Sequence, residues 1–293
     1  MRRGKECRNY NIGICLGLIF LMLFLLGADG CPAPGELGEG VATEAAKYGM
    51  DFALIPGIGY LSGGKEIVQG DTFYVYVKIE NYDKKAKSGN ICVRDSLEAV
   101  YGGIIDECRQ FSIGAAIAED ESVKPAEVKM LFGPYSYHDI KIELLEAKAF
   151  VTASYVHQSI ADGSFTILPE QETLKLNQLP SPIEIRAEKG VTLKDDQYNV
   201  RLKITFTKKL EAEIKSADFK KKGMAFTPTL FYHRLNCGEK WENFVGMTDD
   251  KNFISVNCFA LLPKEEEVPY ILQLVADYGV EQREEINFKI KKA

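Results

Sequence analysis

From residue 50 onward, apolar positions recur at every second residue, the period of a strand with one face on a core and the other on water. The clearest run is Tyr198, Val200, Leu202, Ile204 and Phe206, interleaved with Asn199, Arg201, Lys203 and Thr205. Phe73, Val75, Val77 and Ile79 repeat the pattern earlier, entered through Gly70-Asp71 and left through Asn81-Tyr82-Asp83. Further strands are predicted at 91–93, 128–132, 150–155, 165–167, 183–185, 226–232, 253–262, 270–275 and 286–290. Helical signals are fewer. Leu210 to Lys222 is made of helix formers ahead of Gly223, and Thr43 to Tyr48 has room for one helical turn. Neither alternates regularly with strands, so the pattern predicts an all-β chain of antiparallel sandwiches and disfavours a doubly wound α/β fold.

The strand pattern is echoed in the two halves of the chain. Each half opens on an apolar lead-in strand and a long alternating strand. Each closes on an apolar strand, a Gly-containing turn and a final strand. The closing turns are read at Asp162-Gly163 and at Tyr278-Gly279. A stiff seam, Leu179-Pro180-Ser181-Pro182, lies between the halves. Two domains are therefore expected, at 46–178 and 181–293, behind a linker at 31–45.

The first thirty residues read as an address. Arg2, Arg3, Lys5 and Arg8 precede the uncharged run Ile12 to Leu26, the layout of an export signal and somewhat short of the ~20 residues of a membrane span. The basic flank orients the remainder away from the cytoplasm. Residues 1–30 are thus expected to be a signal peptide or an apolar anchor helix. After the run, small residues lead to Cys31 and an uncharged Pro32-Ala33-Pro34-Gly35 segment. This resembles the lipobox of prokaryotic lipoproteins and implies lipidation of Cys31. Ala28 and Asp29 stand where that family prefers Leu and a small residue, so lipid anchor, uncleaved anchor and secretion all stay open.

Composition adds bounds. The chain has 293 residues, 46% hydrophobic and 27% charged, which excludes a disordered or collagenous chain. The net charge of −6 leaves no general basic field for nucleic acid, and removing the leader makes the remainder more acidic still. Of 7 Cys, Cys7 and Cys15 belong to the leader. Cys92 and Cys108 fall in one half and Cys237 and Cys258 in the other, where export permits disulfides. Pairing within each half leaves Cys31 alone, although four cysteines allow three pairings.

The stretch Gly70-Asp71-Thr72-Phe73-Tyr74-Val75-Tyr76-Val77-Lys78-Ile79-Glu80-Asn81, with its Gly-Asp opening, long strand, closing Asn and polar loop from Lys84 to Gly89, resembles the second strand of immunoglobulin-like modules of the adhesion and CARDB type. These occur in archaeal and bacterial cell-surface proteins. The resemblance covers about the first domain; the second shares the strand without the Asn. It implies two tandem immunoglobulin-like β-sandwiches and a role in extracellular spacing or binding, which is an inference from fold alone.

Catalytic motifs are weak. Gly59-Tyr60-Leu61-Ser62-Gly63-Gly64-Lys65-Glu66 approximates a phosphate loop, but Glu66 replaces the hydroxyl and a strand follows, so it reads as a connection. His138, His157 and His233 lack any signature tying them to a nucleophile, and no Gly-x-Ser-x-Gly elbow or zinc-ligand spacing occurs. The acidic clusters at Glu119-Asp120-Glu121, Asp249-Asp250 and Glu265-Glu266-Glu267 lack calcium-loop spacing and read as solvated loops, and Lys215 to Lys222 as a solvated face. Tyr135 and Tyr137, in a Gly/Pro turn, are the candidate binding residues, set against a packing role. The expectation is a non-enzymatic, membrane-anchored extracytoplasmic protein, without cofactor or metal, that binds a protein partner or copies of itself. A surface-layer or appendage subunit and a secreted hydrolase are the alternatives.

Overall fold

The computed structural model describes residues 52–59, 66–97, 99–119, 122–209, 211–231, 233–237, 244–248, 251–263 and 269–293. The leader, the linker, Cys31 and the phosphate-loop-like stretch at 60–65 lie outside them.

The body is all-β. In chain order the strands are β1 (Phe52–Gly59), β2 (Glu66–Val68), β3 (Phe73–Asn81), β4 (Lys87–Asp95), β5 (Glu107–Ile113), β6 (Ile117–Glu119) and β7 (Ser122–Lys124). They continue with β8 (Ala126–Tyr135), β9 (Leu144–Phe165), β10 (Gln171–Thr173), β11 (Leu176–Gln178), β12 (Ile183–Lys194) and β13 (Gln197–Lys208). The last are β14 (Ala212–Lys215), β15 (Met224–Leu230), β16 (His233–Arg234), β17 (Phe244–Val245), β18 (Phe253–Pro263) and β19 (Tyr270–Lys291).

Alternation explains the strands. In β13, Val200, Leu202, Ile204 and Phe206 are all fully buried while Arg201 and Lys203 face water, and β3 buries Phe73, Val75, Val77 and Ile79 in the same way. Three principal sheets result: β1-β3-β8, β10-β12-β13-β18, and a central sheet ordered β16-β15-β19-β9-β4-β5. The first small sheet meets the central one through Phe52, whose ring lies 4.4 Å from that of Tyr155 on β9. The second meets it through Phe206 and Phe226, in edge contact at 4.8 Å. Buried side chains from all three sheets form one contiguous core.

The central sheet joins the two halves of the chain by more than the seam. β9 and β19 are each 22 residues long and pair antiparallel throughout, from Phe165 opposite Tyr270 to Leu144 opposite Lys291. At ~3.4 Å per residue this is a ribbon of about 70 Å. The turns expected at Asp162-Gly163 and Tyr278-Gly279 are therefore absent: the strands run straight through. Both glycines serve close approach instead. A Cβ on Gly163 would come 2.7 Å from Leu176 Cδ2, and one on Gly279 2.7 Å from the Phe219 ring.

The helix expected at 210–222 is also overturned. Ala212 and Ile214 are buried as alternate residues of β14, which pairs with β19. A turn follows, in which the Phe219 N–H donates to Ser216 O at 2.7 Å. Pairing with an existing strand buries those two apolar side chains in a way a short, mostly charged helix does not.

Candidate functional site

The core-facing stripe of β9 runs Ala147, Ala149, Val151, Ala153, Tyr155, His157, Ser159, Ala161, all buried. It turns polar at only two positions, His157 and Ser159, near the middle of the strand. Buried polar groups need partners, and two chain segments bring them.

The first is the turn after β3. The Asn81 amide donates to Lys85 O at 2.9 Å and Gly114 O at 2.7 Å, while its Oδ1 accepts the Asp83 N–H at 3.1 Å. This side-chain turn fixes Asp83. Asp83 Oδ2 accepts from Lys87 Nζ at 3.0 Å, and the same ammonium lies 2.8 Å from His157 Nδ1 and 5.2 Å from the centre of the Tyr155 ring. An ammonium only donates, so Nδ1 is the acceptor in this contact. The polar loop closing the adhesion-like strand is accordingly shorter than expected, because β4 begins at Lys87.

The second segment is the seam. Ser159 Oγ lies 2.6 Å from the Tyr278 hydroxyl and 3.0 Å from Ser181 Oγ. Gln178 Nε2 donates to Ser181 Oγ at 2.8 Å, and Gln178 Oε1 accepts the Ile185 N–H at 2.8 Å. The rings of His157 and Tyr278 are tilted at 5.5 Å, linking the two halves of the cluster. Beside it opens a cleft of about 430 Å³ lined by Asp83, Lys85, His157, Ser159, Asn177 and Ser181, among others. In a nucleophile–base pair the serine hydroxyl is bonded to the imidazole; here Ser159 is held by Tyr278 and Ser181, and the imidazole by Lys87.

The candidate residues from sequence fall as follows. Cys92–Cys108 and Cys237–Cys258 are both bonded, with S–S distances of 2.07 and 1.99 Å, so pairing is local to each half. Cys92 and Cys108 stand directly opposite each other on β4 and β5. Tyr135 and Tyr137 do not present a contact surface. Tyr137 is fully buried, stacked at 5.1 Å on Phe73, and donates to Asp95 Oδ2 at 2.7 Å. Tyr135 is buried and donates to Glu107 Oε2 at 2.6 Å. Burial, then the carboxylate partner, pushes both phenols well above their ordinary range. For Glu107, burial works to raise the carboxyl, but hydrogen bonds from Tyr135 and Arg109 outweigh it and hold the group below its ordinary value.

His138 is exposed, with Asp139 4.0 Å away. The side chains of His233, Glu119-Asp120-Glu121, Asp249-Asp250 and Glu265-Glu266-Glu267 lie outside the described residues. In the basic run, Lys215 bridges Glu281 and Glu213. Among the described residues no group of three His, Cys, Asp or Glu is placed to hold a metal ion, and no helix is long and apolar enough to cross a membrane. The cluster around Lys87, Ser159 and Ser181 was missed in the sequence. Its signal was the polar pair His157 and Ser159 inside an otherwise apolar alternation.

No protein-family model and no curated protein matches the chain. Among solved structures, one similarity is to red sea bream transglutaminase, with 11% identity and a TM-score of 0.22, covering 89% of this chain and 34% of that one. The chain thus spans about a third of that protein's length, and a likeness of this grade bears on neither fold nor activity.

Proposed function

We propose that the chain is a membrane-anchored, extracytoplasmic, non-enzymatic protein whose sandwiches are immunoglobulin-like and hold a binding surface away from the membrane. The observation that carries this reading is the pair of disulfides, Cys92–Cys108 and Cys237–Cys258, which belong to an oxidising compartment and agree with the export-type leader. The shared ribbon of β9 and β19 supports a spacer role, since one continuous pair of strands runs through both halves of the chain. Cell fractionation tests it. The wild-type chain is expected in the membrane fraction with four cysteines oxidised, and Cys31→Ala is expected to alter its retention or its mass. Recovery from the cytoplasm with free thiols at those four positions would overturn the reading.

A second reading, a self-assembling structural subunit, draws on β18. This strand ends its sheet in the order β10-β12-β13-β18, and its outer row exposes Phe253, Phe259 and Leu261. Exposed apolar side chains on an outermost strand favour association. Sedimentation over a range of concentrations distinguishes the two, with Leu261→Lys expected to shift any assembly toward monomer.

A further inference from the structure

The fold treats the two disulfides differently. Cys258 is fully buried and Cys237 packs against the core. Cys92–Cys108 lies on the face of its sheet that points away from the core. In β4 the buried residues are Ile91 and Val93, and Cys92 is in step with exposed Asn90 and Arg94. In β5 Phe111 and Ile113 are buried, and Cys108 is exposed in step with Gln110 and Ser112. The two cysteines are direct cross-strand partners, so their bond spans β4 and β5 on the outward face.

Strand order decides which sulfur a reagent can reach. A thiolate attacks a disulfide sulfur in line with the bond that breaks, so access along that line matters. Among the described residues β5 is the last strand of the central sheet, and β4 lies between it and β9. The line through Cys108 leads out past this terminal strand. The line through Cys92 passes over Thr152 of β9, the residue opposite it. Charge favours the same direction of attack. Arg94 lies two residues from Cys92 on the same face, about 7 Å away at ~3.4 Å per residue. Its guanidinium sits 5.4 Å from the centre of the Phe150 ring and has no carboxylate partner among the described residues. A neighbouring cation stabilises a thiolate, and a stabilised thiolate leaves faster.

The loop closed by this bond is also held without it. Asp95 accepts the Leu97 and Ile104 N–H groups at 3.0 Å and the Tyr137 hydroxyl at 2.7 Å. Gly103 N–H donates to Ser136 O, and His138 N–H to Tyr101 O, both at 2.9 Å. We propose that Cys92–Cys108 is a thiol-exchange site of the folded protein. An incoming thiolate bonds to Cys108 Sγ, the bond between the cysteines breaks, and its electron pair leaves on Cys92 as a thiolate beside Arg94. The products are a mixed disulfide at Cys108 and one free thiol, with no net oxidation. Return attack by Cys92 on Cys108 Sγ expels the thiol and restores the original bond. The ligand is thus a thiol-bearing molecule, held covalently and reversibly.

The test uses the full chain, with both disulfides formed and its free thiols alkylated beforehand. The protein is exposed to reduced glutathione without denaturant, quenched in acid, alkylated with a second reagent and mapped by mass. Cys92–Cys108 is expected to open at least ~100-fold faster than Cys237–Cys258, which must await local unfolding. Glutathione is expected on Cys108 and the second label on Cys92, with the circular dichroism spectrum unchanged. Arg94→Gln should slow the opening about threefold. Equal rates for the two disulfides, glutathione on Cys92, or a rate indifferent to Arg94→Gln would overturn the proposal. A second arm replaces glutathione by a reduced dithiol oxidoreductase. The faster of the two identifies the source of the thiol, and reaction with neither overturns the site. The inference goes beyond the anchoring reading, and membrane retention is measured separately, so failure of one is distinguishable from failure of the other.

Discussion

Removing one oxygen from Tyr137 separates a core role from a contact role. Tyr137→Phe keeps the ring in its stack with Phe73 at 5.1 Å and near Phe288 at 6.0 Å, so no cavity opens. It deletes only the hydroxyl bonded to Asp95 Oδ2. Asp95 retains two main-chain donors, Leu97 N–H on Oδ1 and Ile104 N–H on Oδ2, each at 3.0 Å. A hydrogen bond to a charged group contributes about 1.5–3 kcal/mol, and with two bonds remaining the loss is expected near the lower end, about 1.5–2 kcal/mol. For a domain of this size that lowers Tm by roughly 3–8 °C. Thermal and urea unfolding followed by circular dichroism measures it. The pH dependence supplies a second readout. A folded-state phenol pushed above its ordinary 10.0 contributes stability that is fully present below pH 10 and is lost as pH rises further. The wild type should therefore lose stability above about pH 10, and Tyr137→Phe should lose less of it. A stability change below about 0.5 kcal/mol, with the alkaline limb unchanged, would refute the core assignment.

At the acid end, Glu107 and Glu184 are both held below the ordinary carboxyl value of 4.5. Hydrogen bonds from Tyr135 and Arg109 overcome burial at Glu107, and the bond from Lys209 leads at Glu184. Their contribution is present above that value and fades as pH falls through the folded one, so Tm should drop between about pH 5 and 3 and Glu107→Gln should flatten the drop. Replacing Cys92 and Cys108 together by Ser opens a loop of 16 residues and should cost about 3 kcal/mol, read as a fall in the urea midpoint that reductant reproduces in the wild type. Gly163→Val forces a side chain against Leu176 Cδ2 and, at 2.9 Å, Lys175 O; a loss of about 1–3 kcal/mol is expected, and a neutral result in urea melts would contradict the close approach of β11 to β9.

Legibility in the sequence followed the solvent boundary. β13 was readable because Arg201 and Lys203 face water between Val200, Leu202 and Ile204 in the core, and β3 because Phe73, Val75, Val77 and Ile79 form a buried stripe between half-buried Tyr74, Tyr76 and Lys78. β9 and β19 were readable only in pieces. Asp162-Gly163 and Tyr278-Gly279 have the composition of turns, and only the tertiary neighbours Leu176 and Phe219 reveal why side chains are missing there. The segment 210–222 misled for a related reason: intrinsic preference favours a helix, but pairing with β19 decides. Tyr135 and Tyr137 sit in a local pattern typical of exposed loops. Their burial depends on Asp95 and Glu107, distant acceptors that no local window contains.

The polar centre has a geometric origin. The ribbon of β9 and β19 is 22 residues long, whereas the strands covering it, β3 and β13, have 9 and 12. Neither covering strand matches the ribbon in length, and at its middle the stripe is met by the turn after β3 and by the seam. His157 bonds to Lys87 at the start of β4, and Ser159 bonds to Tyr278 and to Ser181 of the seam. On the same edge of β9, β4 pairs with residues 149–155 and β11 with 161–163. A cleft of about 430 Å³ opens beside these residues without a dedicated insertion. It lies where the long ribbon meets the turn after β3 and the seam, and its chemistry is set by His157, Ser159 and Tyr278.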